Sequence, residues 1–61
     1  SARRSVYYNK DVKSGSTLTE KHLIALRPGS GVSVSKWESI KGLVLTKTKK
    51  AGQRFEWNDV K

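Results

Sequence analysis

The sequence is poor in the residues with which small domains form disulfides or bind structural metals. It contains no cysteine, one proline and one histidine in 61 residues. The absence of cysteine excludes disulfides and thiolate metal sites, and nothing argues for an oxidising compartment. No apolar run approaches the roughly 20 residues that a membrane-spanning helix needs, and no signal peptide is visible. We therefore expect a cytoplasmic location and no membrane partner.

Acidic side chains are also scarce, which limits the chemistry available to the chain. The five carboxylates are spread out and form no pair with the spacing of an acid–base couple. The single histidine, His22, is interpreted as a surface or half-buried side chain. The serines lack a nucleophile motif, and no Gly-rich phosphate-binding motif is present. The sequence predicts that this chain is not an enzyme and holds no catalytic residue, metal or cofactor. The carboxylates are Asp11, Glu20, Glu38, Glu56 and Asp59.

Positive charge is abundant, with 13 Lys and Arg and a net charge of +8. Such a charge suggests an anionic partner, although solubility alone would also explain it. If the basic run is a strand, Lys47 and Lys49 face solvent on the same side. The run is then either a protected sheet edge or a nucleic-acid groove. A nucleic-acid groove needs interleaved aromatics, which are poorly placed here, so nucleic acid is not the expected partner. A small basic nucleic-acid-binding module remains an alternative function. The run comprises Lys47, Lys49, Lys50 and Arg54, with Lys41 nearby.

The chain nearly repeats itself, because residues 6–23 can be laid on residues 43–60 at a constant offset. Gly15 then meets Gly52, each at the end of a Lys-x-Gly turn in which glycine supplies a positive φ. A helical turn follows in each half, with Thr19 and Asn58 as the predicted N-caps. The repeat predicts a mostly β or irregular fold of short strands and short helical turns, built from two similar halves related by a pseudo-twofold.

The segment between the halves combines a strand, a loop and a short helix. Residues 22–26 are predicted to form a strand that enters Arg27, and Pro28 favours an extended Arg27. Residues 29–31 form a Gly-Ser-Gly loop. A capping box of Ser35 and Glu38 predicts the helix start, and Gly42 its end. The predicted core is Val6, Tyr8, Val12, Leu18, Leu23, Leu26, Val32, Trp37, Ile40, Leu43, Leu45, Phe55 and Val60.

Arg27 is the candidate binding residue, since its neighbours constrain its backbone more than that of any other charged residue. Pro28 restricts the chain after it, and the loop glycines Gly29 and Gly31 let another surface come close. A guanidinium held in this way can grip a carboxylate, phosphate or amide oxygen with two parallel hydrogen bonds. The alternative is a structural arginine that satisfies the carbonyls of its own loop, and sequence physics does not separate the two.

The motifs resemble the C-terminal antifreeze-like domain of the sialic acid synthases, part of the wider SAF superfamily. The resemblance covers about residues 5 to 60, so the predicted domain is 5–61, with residues 1–4 as a tag or linker remnant. Its most specific element is Arg-Pro-Gly-x-Gly. The matching positions are Lys13-x-Gly15, Leu18-Thr19, Glu20, Leu23 and Arg27-Pro28-Gly29-x-Gly31-Val32.

The resemblance implies the small pretzel-like β-clip fold and a role in sialic acid biosynthesis. Family enzymes condense phosphoenolpyruvate with N-acetylmannosamine or a related sugar, in a TIM barrel that holds a divalent metal such as manganese. The antifreeze-like domain is expected to cap the barrel of the partner subunit in a domain-swapped homodimer. There the arginine of Arg-Pro-Gly, which is Arg27, reaches the sugar substrate from a loop that contains Pro28, Gly29 and Gly31.

The related type III antifreeze proteins supply an alternative function, ice binding by a stand-alone protein. Their ice-binding face lies around the first turn and the Leu-Thr segment that follows it. An ice-binding face should be flat and uncharged, whereas only the two threonines here meet that need. The corresponding residues are Lys10, Lys13, Thr17, Thr19, Glu20 and Lys21.

Overall fold

Regular secondary structure in residues 3–61 is sparse and consists of two strands and four short helical segments. In the computed structural model, which describes residues 3–61, β1 (Ser5–Tyr8) pairs antiparallel with β2 (Leu23–Leu26), and Tyr8 lies opposite Leu23. The one α-helix, α1, is Trp37–Ile40. Three 3-10 turns complete the set: Glu20–His22, Val34–Lys36 and Trp57–Asp59. The predicted mixture of short strands, short helical turns and irregular chain is confirmed.

The first 3-10 turn starts where a threonine can cap it. The Thr19 hydroxyl accepts a hydrogen bond from the Lys21 N–H at 3.3 Å, and His22 Nδ1 accepts one from the Thr19 N–H at 3.1 Å. These two bonds satisfy backbone donors that a helix start leaves without partners. The predicted N-cap at Thr19 is confirmed.

Two other predicted N-caps are wrong, because a residue two positions earlier in the chain is the N-cap in each case. Asn58 lies inside the turn Trp57–Asp59, whose N-cap is Glu56, and the Asp59 carboxylate accepts the Glu56 N–H at 3.0 Å. The helix at Ser35 begins earlier than predicted, with a 3-10 turn capped by Ser33. Glu38 forms an ion pair with Lys41 at 3.1 Å and caps nothing.

The backbone hydrogen bonds of the two halves recur at the offset that relates Gly15 to Gly52. The Gly15 N–H donates to the Leu45 carbonyl at 2.7 Å, and the Gly52 N–H donates to the Tyr8 carbonyl at 2.8 Å. Both glycines have the positive φ that the sequence predicted, 92° and 90°. Further matched pairs are Tyr8 to Gln53 with Leu45 to Ser16, Phe55 to Val6 with Leu18 to Leu43, and Asn9 to His22 with Thr46 to Asp59.

The core lies between these interlocked segments and contains most of the residues predicted for it. Leu26 is an error, with 40% of its surface exposed, and Leu43 is only half-buried. Leu26 points outward because strand residues alternate between faces, and Leu23 and Ala25 occupy the inner face of β2. Val32, Trp37 and Val60 are partly buried against the core. The buried apolar residues are Val6, Tyr8, Val12, Leu18, Leu23, Ile40, Leu45 and Phe55.

A buried carboxylate, Asp59, ties the second half to β1. The Tyr8 hydroxyl donates to Asp59 Oδ2 at 2.9 Å, and Lys49 Nζ lies 3.3 Å from Asp59 Oδ1. Lys49 is therefore largely buried, and the prediction that it faces solvent beside Lys47 is wrong. Burial raises the pKa of Tyr8 well above its usual value, and the hydrogen bond to Asp59 raises it further. This cluster is satisfied internally, as a buried charge requires.

Replacing Tyr8 with Phe removes the hydroxyl donor of Asp59, and we expect a loss of about 1.5–3 kcal/mol in the free energy of unfolding, as for hydrogen bonds to charged groups. Tyr7→Phe is the matched control, because the Tyr7 hydroxyl makes only a long, exposed bond of 3.4 Å. That control should cost less than about 0.5 kcal/mol. Urea denaturation of both variants measures the difference, and equal losses would contradict the assigned role of Asp59.

Alkaline pH should weaken the Tyr8 contribution. In the unfolded chain a tyrosine releases its proton near pH 10, whereas folded Tyr8 retains it because its pKa is raised. The folded state then binds more protons, so the free energy of unfolding falls as pH rises above about 10. The stability difference between the unmodified protein and Tyr8→Phe should be constant below that pH and shrink above it. A difference that stays constant through pH 11 would show that the Tyr8 proton is not retained.

Candidate functional site

Arg27 begins the loop that leaves β2, and its side chain is exposed. It makes no hydrogen bond or ion pair with any of residues 3–61, so its guanidinium does not satisfy the carbonyls of its own loop. The Arg27–Pro28 peptide bond is cis. The Pro28 carbonyl accepts a bond of 3.4 Å from the Tyr7 hydroxyl on β1. Within the described chain, no donor of the guanidinium is used, so these donors can serve another molecule.

Gly29 lets the loop lie directly on the N-terminal segment. A Cβ at this position would lie 2.6 Å from Arg3 Cβ and 2.8 Å from the Arg3 carbonyl carbon and oxygen, closer than real Cβ contacts come. Arg4 is also engaged, since its carbonyl accepts the Val34 N–H at 3.1 Å. Arg3 and Arg4, which the sequence placed in a tag or linker remnant, therefore contact the domain. The first two residues of that remnant lie outside the described residues.

Gly31 fixes the far end of the loop to the buried start of β1. Its N–H donates to Ser5 Oγ at 2.9 Å, and Ser5 is fully buried. Arg54 covers the loop from the other side, with Nη1 donating to Ser30 Oγ at 2.9 Å. A Cβ on Gly31 would overlap the methylene groups of Arg54. We define the Arg27 loop as residues 27–31; it is held by Arg3, Ser5 and Arg54, three contacts that local sequence patterns did not predict.

A shallow groove of about 300 Å³ borders the Arg27 loop and is called the Trp57 groove below. Trp57 is its largest exposed apolar group, with 47% of its surface accessible. The Trp57 and Phe55 rings meet nearly perpendicularly, with centroids 5.4 Å apart. Arg54 and Glu56 supply a cation and an anion at the same surface. The lining residues are Ser30, Gly31, Val32, Arg54, Phe55, Glu56 and Trp57.

A second groove shares Arg54 and Glu56 with the Trp57 groove and is more polar. It has a volume of about 320 Å³ and contains no exposed tryptophan. The lining residues are Tyr7, Lys49, Gly52, Gln53, Arg54 and Glu56.

The basic run offers less free charge than the sequence suggested. Lys41 pairs with Glu38, and Lys50 lies 3.7 Å from an Asp11 carboxylate oxygen. Lys49 is used by Asp59 in the core. Among the run, Lys47 is the cation without a hydrogen bond or ion pair to the described part of the chain.

Residues 3–61 show no site for a metal and no membrane span. No three or more His, Asp or Glu side chains within this range are grouped so that they could hold an ion. None of the helices in the same range has the length and apolar character to cross a bilayer. At the surface considered for ice binding, Thr17 and Thr19 are exposed together with four charged side chains, at Lys10, Lys13, Glu20 and Lys21.

Comparison with known proteins identifies a family and a relative that are similar to this chain in sequence. Residues 3–61 match the family model of the SAF domain. The chain is 33% identical over 58 residues to an N,N'-diacetyllegionaminic acid synthase of Legionella pneumophila. The matched region covers 95% of this chain and 16% of the synthase, so the chain spans a small part of the length of that curated relative.

The two loop glycines should respond differently to alanine. We expect Gly29→Ala to lower the free energy of unfolding by about 1–3 kcal/mol, because the new methyl group collides with Arg3 backbone that cannot turn aside. Gly31→Ala meets only the flexible Arg54 side chain, which can swing away after losing its bond to Ser30. Gly31→Ala should therefore be the milder change in thermal and urea denaturation. A Gly29→Ala variant as stable as the unmodified chain would contradict the packing of the loop on Arg3.

Proposed function

Because the chain belongs to the SAF domain family, we propose that it is the non-catalytic antifreeze-like domain of a nonulosonic acid synthase. Two findings support this role: the family match over residues 3–61, and the identity to a synthase of a diacetylated nonulosonic acid. The bond-forming chemistry then belongs to the remainder of the synthase. That chemistry is the condensation of phosphoenolpyruvate with an acylamino sugar such as N-acetylmannosamine.

The expected divalent metal, such as manganese, also belongs to that remainder. Residues 3–61 offer no group of three or more carboxylates and imidazoles that could hold it. The contribution that we propose for this domain is binding and positioning. The net charge of +8 would draw the anionic phosphoenolpyruvate toward the active site, an effect that falls with salt.

Arg27 is the residue that we propose contacts the sugar. The observation that carries this proposal is an exposed guanidinium, unused by residues 3–61, on a loop held at both ends. The Gly31 N–H is bonded to buried Ser5, and Gly29 rests on Arg3. A donor set held in place before binding loses less conformational entropy when it meets its acceptor. The planar fork of the guanidinium suits a sugar hydroxyl or acyl carbonyl, with two parallel bonds.

Capping of the partner's barrel is supported by the apolar surface beside Arg27. Leu26 precedes Arg27 and is 40% exposed, and Ile24, on the same outward face of β2, is 36% exposed. Large exposed aliphatic groups on so small a domain are suited to contact with another protein surface. In the proposed domain-swapped homodimer this face would rest on the barrel while Arg27 enters the active site, in the cytoplasm.

The pretzel-like arrangement with a pseudo-twofold is also proposed here. Its support is the recurrence of backbone hydrogen bonds at one offset. Val12 and Lys49, which that offset relates to each other, donate to one another's carbonyls at 2.8 and 2.9 Å. A reciprocal pair of this kind is what a twofold axis would produce where it crosses the chain.

We predict that Arg27→Ala in the full-length synthase raises the KM for the acylamino sugar by roughly 10- to 100-fold. This range follows from about 1.5–3 kcal/mol for hydrogen bonds to a charged group. The KM for phosphoenolpyruvate and the melting temperature should change little, because Arg27 holds nothing within the described chain. Arg27→Lys should recover part of the affinity, since it keeps the charge but not the planar fork.

The control variant is Lys13→Ala, which removes an exposed cation on the Lys-x-Gly turn. Steady-state kinetics with each substrate varied in turn makes the comparison. If Arg27→Ala and Lys13→Ala give the same sugar KM as the unmodified enzyme, Arg27 does not bind the sugar.

A further inference from the structure

The Trp57 groove has an uncovered aromatic surface that the fold does not use. Trp57 contacts Phe55 nearly perpendicularly and keeps 47% of its surface exposed. Exposed tryptophan side chains are enriched where proteins bind other molecules, because they offer a large apolar area together with an N–H donor. The other tryptophan, Trp37, is partly buried against the core.

Fixed polar groups of both signs flank the indole. Arg54 and Glu56 alternate with buried Phe55, so their side chains share the outer face of this segment. The bond from Arg54 Nη1 to Ser30 Oγ holds the guanidinium over the groove while leaving other N–H donors unused. Both donors and acceptors are therefore presented beside one apolar surface.

The charge balance of the groove favours a neutral ligand, in contrast with the strongly basic molecule around it. Arg54 and Glu56 cancel, and an anion such as phosphate would meet the Glu56 carboxylate. The Gly31 N–H, which would otherwise serve an anion, is already bonded to Ser5 Oγ. A ligand that both donates and accepts hydrogen bonds and has an apolar face is complementary to this set.

A pyranose ring has those properties. Its axial C–H groups form an apolar face that packs on an indole ring, whose face carries partial negative charge, and its hydroxyls both donate and accept. A volume of about 300 Å³ lies at the lower end of small-molecule pockets, which suits a single sugar. An acylamino substituent would add a carbonyl acceptor for Arg54 and a methyl group for Val32.

The groove is continuous with the Arg27 loop. Ser30 and Gly31 form one wall of the groove, and Arg27 begins the same loop. Arg54, which also lines the groove, is bridged through its backbone to Tyr7, and the Tyr7 hydroxyl donates to the Pro28 carbonyl of the loop, although Tyr7 itself lines the second groove. A sugar placed in the groove therefore lies beside the loop that offers the Arg27 guanidinium.

We propose that the Trp57 groove binds the acylamino sugar, with Trp57 stacked on the pyranose ring and Arg54 donating to the acyl carbonyl. This inference rests on the proposed function, since it names a further contact for the same substrate. It makes Trp57 and Arg54 sugar-binding residues that set affinity and the preference for an acylated amine.

The first test is an NMR titration of the 61-residue chain with N-acetylmannosamine, and with mannose as the matched ligand that lacks the acetamido group. We expect a saturable shift of the Trp57 indole N–H with a dissociation constant on the order of 1 mM, and no shift of the Trp37 indole. Trp57→Leu should weaken binding roughly tenfold, and Trp57→Tyr should restore it in part. Arg54→Gln should weaken the binding of N-acetylmannosamine but not the binding of mannose. Backbone spectra check that each variant is folded.

The inference is overturned if N-acetylmannosamine causes no saturable shift at Trp57, or if mannose binds equally well. Kinetics of the full-length synthase separates this failure from failure of the proposed function. If the sugar KM rises in Arg27→Ala but is unchanged in Trp57→Leu, the groove does not bind the sugar and the proposed role of Arg27 stands. If the sugar KM is unchanged in Arg27→Ala but rises in Trp57→Leu, Arg27 does not bind the sugar and binding by the groove is supported.

Discussion

The hydrogen bond from the Gly31 N–H to the buried hydroxyl of Ser5 is the interaction on which the candidate site depends. It fastens the end of the Arg27 loop to the first residue of β1, inside the protein. The beginning of the loop is held by its continuity with β2, and its middle by the close approach of Gly29 to Arg3. The guanidinium of Arg27 is bonded to none of residues 3–61 and stands on a segment that is otherwise held in place, which is the arrangement a pre-positioned binding residue needs.

The two halves share a backbone pattern but differ in the chemistry of equivalent positions. Asp59 and His22 both accept the N–H of their capping residue, yet only Asp59 is buried with a tyrosine and a lysine. The residues that the offset relates to Tyr8 and Lys49 are Leu45 and Val12, which are apolar. The polar cluster of Asp59, Tyr8 and Lys49 therefore has no counterpart among the residues that the offset relates to it. Glu56, whose N–H is fixed by Asp59, extends from the polar cluster to the Trp57 groove.

The sequence predicted correctly the roles that depend on a residue's own backbone angles or on a contact within the next few residues. Gly15 and Gly52 turn the chain because their φ is positive, and Thr19 caps a helical turn because its hydroxyl reaches the next backbone donors. The predicted cap at Asn58 was wrong. The neighbouring Asp59 carboxylate accepts the N–H of the true N-cap, Glu56, and Asp59 is held there by its tertiary contacts with Tyr8 and Lys49. Local sequence patterns could not predict the exposure of Arg27 or the anchoring of its loop, because both depend on contacts between segments far apart in the chain.

Amide hydrogen exchange of Gly31 in the 61-residue chain tests most directly the claim that the Arg27 loop is anchored before any partner binds. We expect the Gly31 amide to exchange nearly as slowly as the Leu18 amide of the core, because its acceptor is a fully buried hydroxyl. The Ser30 amide, in the same loop, should exchange far faster. Equal, fast exchange of Gly31 and Ser30 would mean that the loop is not held by Ser5, and the account of a pre-positioned Arg27 would be wrong.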